Sequence, residues 1–334
     1  MLTATLLALL LAPGPKLERF TYTEPHMGTR FKIILYAPDR ATADRAAKDA
    51  FQRVAELDGI MSDYRPASEL MQLCKKAGGG PVHVSDDLFF VLSRAQELSR
   101  RSGGAFDVTV GPVVRLWRRA RQTKQLPDPE ELKRALALVG FDKMKLDARA
   151  HTVRLTKPGM QLDLGGIAKG YAADEALKVL RKHGVTRALV AASGDIAVSG
   201  PPPGKDGWTV GIAPLLDPDA EPKRYLVLKN AAVSTSGDAE QYVEIGGKRY
   251  SHIVNPSTGI GLVGRLSATV VAPDGITADS NTKVVAVLGP EKGFPIIEQT
   301  PGVSGFFVRQ TDRGEEEVAS PRFRTVPQKA DRGK

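Results

Sequence analysis

The sequence predicts an α+β protein, a single catalytic body of two interleaved lobes with mixed or antiparallel sheets. Apolar residues at helical spacing dominate the first half, and short strands between glycine- and proline-rich turns dominate the second. No internal repeat and no clean linker divides the 334 residues into separable domains.

The elements follow in chain order. Leu2 to Ala12 is an apolar run closed by Pro13-Gly14-Pro15. It is shorter than the roughly 20 apolar residues that span a bilayer. It fits a secretory signal-peptide core, so residues 1–20 are expected to be a signal and the protein exported to the periplasm or cell envelope. No basic residue precedes the run and no clear A-x-A site follows, so a buried N-terminal helix is the competing reading. No cysteine follows it, which argues against a lipoprotein anchor, and no transmembrane span is expected in the mature protein. Phe31 to Tyr36 reads as a strand. Ala43, Ala46, Ala47, Ala50, Phe51, Val54 and Leu57 then mark an amphipathic helix to Met61. Asp86 to Ser102 and Pro129 to Val139 read as helices, the latter with proline in its first turn. Leu162 to Asp174 is a glycine-rich turn entering a helix that ends near His183-Gly184. Strands follow at Arg187 to Ala192, Trp208 to Ile212 and Tyr225 to Leu228. Gln241 to Ile245 and Lys248 to His252 flank Gly246-Gly247, a two-residue hairpin signal. Leu266 to Val271 reads as a strand and Ile276 to Leu288 as a helix. Residues 325–334 are polar and basic and are expected to be disordered.

Composition supports a globular chain, with 42% hydrophobic and 25% charged residues. Solvated lysine and arginine faces account for a net charge of +9; the functional reading is attraction of a polyanion such as a dinucleotide pyrophosphate. Zinc-finger spacing and RNA-binding aromatic motifs are missing, so nucleic acid is not an expected partner. Cys74 is the sole cysteine, which excludes an internal disulfide framework and a cysteine-based metal cluster.

Three stretches carry chemistry. DLGGIAKGYAAD, Asp163 to Asp174, sets two glycines before a helix start, where backbone can approach a ligand and free N–H groups favour an anion. Lys169 adds positive charge there. The stretch is neither a P-loop nor a G-x-G-x-x-G fingerprint, and a purely structural turn is the competing reading. His252 ends a hairpin strand just before Asn255-Pro256, where an imidazole can serve as a general base or simply hold a hydrogen bond. His26, beside Met27-Gly28-Thr29, is its one rival. Asp279, at a helix start among hydroxyl side chains, either caps that helix or holds Mg²⁺.

In one order the chain also carries MGT at Met27 to Thr29, SDYRPASEL at Ser62 to Leu70 and GGAFDVTVGPVVRLW at Gly103 to Trp117. DLGGIAKGYAAD, SGDI at Ser193 to Ile196, STSG with HIVNPSTG, and TADSNTKVVAVLGPEKG at Thr277 to Gly293 follow. The series resembles the ApbE-like FAD:protein FMN transferases over roughly residues 25 to 310. The resemblance implies an ApbE-like fold in a transferase domain at 25–324, and an exported enzyme that binds FAD with Mg²⁺. It also implies transfer of FMN to a threonine hydroxyl of an acceptor flavoprotein, with release of AMP. By position, Met27, Tyr64, Ala105, Phe106, Asp107, Asp163, Lys169 and Val254 would line the FAD site. Gly166, Asp279 and Thr282 would hold the metal, and His252 would be the base.

The chain departs from that family at the metal. The family has a threonine four positions after the aspartate; here that position is Lys283, and the threonine is Thr282, about 100° away around a helix. Either Thr282 still reaches the ion or Lys283 puts its ammonium in the ion's place. Asn255, Ala239, Cys74 and Ser193 stand where the family has Asp, Tyr, Asn and Gly. These departures keep two other readings open: a catalytically impaired FAD-binding relative, and a Mg²⁺-dependent FAD pyrophosphatase.

Overall fold

The computed structural model describes residues 16–217, 220–237 and 241–329. The apolar run Leu2 to Ala12, Ala239 and residues 330–334 lie outside them.

The chain begins with a hairpin, β1 (Glu18–His26) and β2 (Thr29–Ala37), and passes into α1 (Arg40–Met61). Asp39 caps α1, its carboxylate accepting the Thr42 N–H at 2.7 Å. There follow α2 (Glu69–Lys75), β3 (Val82–His83), α3 (Asp86–Arg101), α4 (Gly111–Thr123), α5 (Pro129–Leu136), β4 (Met144–Asp147) and β5 (Thr152–Leu155). Next come α6 (Ala168–Lys182), β6 (Ala188–Ala192), β7 (Asp195–Val198), β8 (Trp208–Ile212), β9 (Arg224–Leu228) and β10 (Ala231–Gly237). The chain continues through β11 (Tyr242–Ile245), β12 (Lys248–Val254), β13 (Gly261–Val263), β14 (Leu266–Ala272), α7 (Gly275–Ile297), β15 (Ser304–Thr311) and β16 (Gly314–Ala319).

An eight-stranded antiparallel sheet in the order β1-β2-β6-β7-β10-β14-β15-β16 is the frame. Both faces are covered, so buried residues line both sides of a strand. In β2, Phe31, Ile33 and Leu35 join the core beneath α1, α6 and α7, while Ile34 joins a second core beneath the β8–β9 hairpin. A third core gathers Val113 and Trp117 of α4, Ala135 of α5, and Val243, Tyr250 and Val254 of β11 and β12. Its parts come from distant stretches of chain, which is the interleaving of two lobes expected from the sequence. The fold is α+β, as predicted.

The differences from expectation are local. β1 takes in Glu18 to Phe20 of the segment 1–20, and Phe20 is buried. Residues 327–329 lie against β9: Val227 N–H donates to the Pro327 carbonyl at 2.8 Å, and Lys329 N–H to that of Tyr225 at 3.0 Å. Of the expected disordered tail, Thr325 closes a 3-10 turn that begins at Arg322, and Pro327 to Lys329 pair with the edge of β9. The helix read as Ile276 to Leu288 stops where Gly289 leaves helical geometry (φ 73°), and Pro290 opens its continuation.

The contact that positions the site is the crossing of α6 and α7. Gly170 meets Gly275 backbone to backbone: a Cβ on either residue would fall on the other's carbonyl oxygen. Asp174 of α6 caps α7, accepting the Gly275 and Ile276 N–H groups at 2.7 and 2.9 Å. Asp279 of α7 accepts the Gly170 N–H at 3.2 Å in return. Gly170→Ala should therefore destabilise the protein by about 3 kcal/mol, because the methyl group strikes backbone and not a movable side chain. Urea unfolding of the two proteins measures this, and an unchanged midpoint would contradict the crossing.

Candidate active site

A cleft of about 690 Å³ opens between the helical layer, the sheet and the third core. Met27, Tyr64, Ala105, Phe106, Asp107, Asp163, Gly166, Lys169, His252 and Val254, all singled out in the sequence, line it. Met27 enters on the two-residue turn between β1 and β2, where Met27 (φ 49°) and Gly28 (φ 72°) are both left-handed. Ala105 to Asp107 follow α3. Buried Asp107 turns the chain into α4, its carboxylate accepting from the Thr109 N–H at 2.8 Å and hydroxyl at 2.7 Å. Burial holds its pKa above the usual carboxylate range.

Tyr64 stands at the mouth, 72% exposed, with the Arg118 guanidinium 4.2 Å from its ring centroid. Arg118 also bridges two carboxylates, Asp63 at 2.5 Å and Asp163 at 2.8 Å. Burial and the nearby Asp63 raise the Asp163 pKa, against the pull of Arg118. Asp163 spends its other oxygen on the Gly165 N–H at 2.8 Å, shaping the glycine turn. Arg121, one turn along α4 from Arg118, also lines the cleft. Sequence reasoning gave no role to Arg118, Arg121 or Asp63. The three-residue spacing of the arginines puts them on one helix face, but α4 was not expected.

At the floor stand two lysine–aspartate pairs. Lys169, expected at the phosphates, donates to buried Asp195, which also accepts the Ser234 hydroxyl at 2.6 Å. Burial pushes the Asp195 carboxyl up, but the ammonium groups of Lys169 and Lys283 overcome it and hold the pKa low. Lys283 reaches Asp279 Oδ1 at 2.6 Å, Ser236 Oγ at 2.8 Å and the Asp279 carbonyl at 3.2 Å. Its stem lies over Gly166, where a Cβ would come within 3.0 Å of Lys283 Cε. Asp279 is fully buried; burial and Asp195 raise its pKa, and Lys283 draws it back.

The residues implied for Mg²⁺ are adjacent but already engaged. Both Asp279 oxygens have donors, Lys283 on one and the Gly170 N–H on the other. Thr282 is buried, 2.6 Å from the Asp279 carbonyl and 2.9 Å from Ser236 Oγ. Its single proton goes to the carbonyl, which can only accept. Among the described residues no group of three or more His, Cys, Asp or Glu could hold a metal ion. The donor set present fits an ammonium, not a dication.

His252 also lines the cleft, at the end of the β11–β12 hairpin. Its Nδ1 lies 3.1 Å from the Gln241 carbonyl. A carbonyl only accepts, so Nδ1 carries the proton and Nε2 keeps its lone pair. Burial and then the Lys283 charge push the His252 pKa down to about 4, against the Gln241 bond. The ring is therefore a neutral base at pH 7. The rival His26 instead packs against Phe51 and pairs with Glu24. Beyond His252, Asn255 folds the next turn, its Oδ1 accepting from the Ser257 N–H at 2.9 Å and hydroxyl at 2.8 Å. Trp117 ties that turn to α4 through the Gly259 carbonyl at 2.7 Å.

The sequence pattern of the ApbE family matches residues 27–307. The chain belongs to the ApbE family. It is 34% identical over 291 residues to the FAD:protein FMN transferase of Klebsiella pneumoniae, covering 86% of this chain and 89% of that protein. It is 32% identical to the enzyme of the same name from Treponema pallidum, over 88% and 85% of the two chains. Among solved structures, it superimposes on the flavin transferase ApbE of Vibrio cholerae with a TM-score of 0.83 at 29% identity, covering 93% and 100%. The ApbE protein of Thermotoga maritima gives 0.82 at 27% identity, covering 93% and 100%.

Two departures from the ApbE pattern now have physical descriptions. Cys74 is buried, its Sγ accepting the Leu162 N–H at 3.3 Å. Ser193, on the cleft wall, turns β6 into β7 with a left-handed φ of 58°. A β-carbon at that φ costs roughly 1 kcal/mol that glycine avoids. Ser193→Gly should stabilise the protein by up to about 1 kcal/mol, less the entropy glycine adds to the unfolded chain. Thermal unfolding checks this; a lower midpoint would mean that the serine hydroxyl contributes more than the strain costs.

Proposed function

We propose that the protein transfers the FMN half of FAD to a threonine hydroxyl of an acceptor flavoprotein, releasing AMP. The observation that carries this reading is that one cleft holds a neutral imidazole and two ammonium groups, those of Lys169 and Lys283. An imidazole held neutral can take the proton of a hydroxyl, and cations can steady a pyrophosphate whose oxygens gain charge as it is attacked.

The step balances simply. The threonine oxygen attacks the phosphorus on the flavin side and gives its proton to His252 Nε2. The new O–P bond forms as the bond from that phosphorus to the bridging oxygen breaks. AMP departs with the electron pair, and His252 returns its proton to solvent. Tyr64 and Phe106 supply flat surface for the flavin or adenine ring. No step runs through Mg²⁺. Export is part of the reading: the apolar Leu2 to Ala12 run, with the features of a signal-peptide core, supports a reaction in the periplasm or envelope. No helix among the described residues is long and apolar enough to cross a membrane.

Incubation with FAD and a threonine-bearing acceptor, followed by intact-mass measurement, tests the reading. The expected result is an acceptor heavier by one FMN, with AMP released in equal amount. FMN and AMP appearing without acceptor would instead make water the nucleophile, and FAD binding with neither product would mark a non-transferring relative. His252→Ala should lower transfer about 10²- to 10⁴-fold with FAD affinity nearly unchanged. Because the His252 pKa is depressed to about 4, the base form persists as pH falls. The acid limb of kcat/KM for FAD should lie near pH 4, not near the 6.5 or so of a free imidazole. A limb near 6.5 would mean that the catalytic imidazole titrates as a free one and that burial and the Lys283 charge do not depress it; the loss of transfer in His252→Ala is the separate test of its role as base.

A further inference from the structure

We infer that the ammonium of Lys283 is a built-in cation for the FAD pyrophosphate, so that this protein binds FAD without a divalent metal. The inference rests on the FAD reading above and concerns this chain's own departure from its family.

Three observations support it. The ammonium is held at the cleft floor by Asp279 Oδ1 at 2.6 Å and Ser236 Oγ at 2.8 Å, so its position is fixed and not that of a swinging surface lysine. The backbone beside it is glycine: Gly166 leaves the space through which the lysine stem passes, and a side chain there would press on Cε. Finally, its third contact is expendable. The bond to the Asp279 carbonyl is long, at 3.2 Å, and that oxygen already has the Thr282 hydroxyl at 2.6 Å. One N–H can therefore turn to a phosphate oxygen and leave no acceptor without a donor. A dication entering the same place would have to displace an ammonium from a fully buried carboxylate, and a protonated lysine offers it no lone pair.

FAD titrated into EDTA-dialysed protein, with and without added Mg²⁺, tests the idea through flavin fluorescence and calorimetry. The affinity should agree within about twofold in the two buffers, and Mg²⁺ alone should give no binding heat. In the EDTA buffer Lys283→Met should bind FAD at least about tenfold more weakly, a loss of about 1.4 kcal/mol. Since that variant leaves Asp279 buried without its cation, Asp279→Asn combined with Lys283→Met serves as the neutral control and should show the same loss. A tenfold gain from Mg²⁺ in the native protein overturns the inference, as does native affinity in the double variant. Failure to bind FAD in either buffer overturns the transferase reading itself, and is distinct from binding that needs Mg²⁺.

Discussion

Everything at the floor of the cleft depends on two helices meeting without side chains between them. Gly170 and Gly275 let α6 and α7 touch backbone to backbone. Two aspartates lock the meeting in both directions, Asp174 onto the start of α7 and Asp279 onto the N–H of Gly170. That contact brings the glycine turn and Lys169 at the head of α6 beside Asp279 and Lys283 on α7. Residues more than 100 positions apart, such as Gly166 and Lys283, become neighbours through it. The eight-stranded sheet behind supplies Asp195, Ser234 and Ser236 from β7 and β10. The floor is therefore assembled at one junction of rigid elements, not on loops.

The charges there are linked. Lys283 neutralises Asp279, adds to the field that keeps Asp195 ionised, and helps to keep the His252 imidazole uncharged. One residue thus contributes to the charge state of two carboxylates and one base, beside the larger effect of burial. A low local dielectric lengthens the reach of such a charge. This is why a substitution that looks like a minor departure on a helix face affects the opposite wall of the cleft.

Much of this was legible in the sequence, and for physical reasons. The alanine-rich face of α1 and the Gly246-Gly247 hairpin are local signals, and both appear with nearly the expected bounds. β1 escaped notice because it is an outer strand with few buried side chains, Phe20 among them. In α4, Pro112 and a run of arginines mask the apolar stripe of Val113, Trp117 and Ala120. The site residues were found largely through the ordered series of motifs. What motifs lack is direction. Whether Lys283 turns to Asp279 or to solvent depends on the α6–α7 crossing, and the pairing of Lys169 with Asp195 depends on the β6–β7 turn. Neither is written within a single window of sequence.

The order of the large sheet has a consequence beyond the cleft. A sheet that does not close on itself ends in two strands with unpaired backbone groups, which can recruit a strand from another molecule. Here those ends are β1 and β16. The first carries Pro25, which has no N–H to offer, between Glu24 and His26; the second carries Glu315, Glu316 and Glu317 in succession. These glutamates pair with Lys223, Arg309 and Arg224, so the edge is a charged one, which is a poor template for strand addition. The sheet thus carries its own protection against intermolecular strand addition, and its ends are kept polar while its centre holds the chemistry.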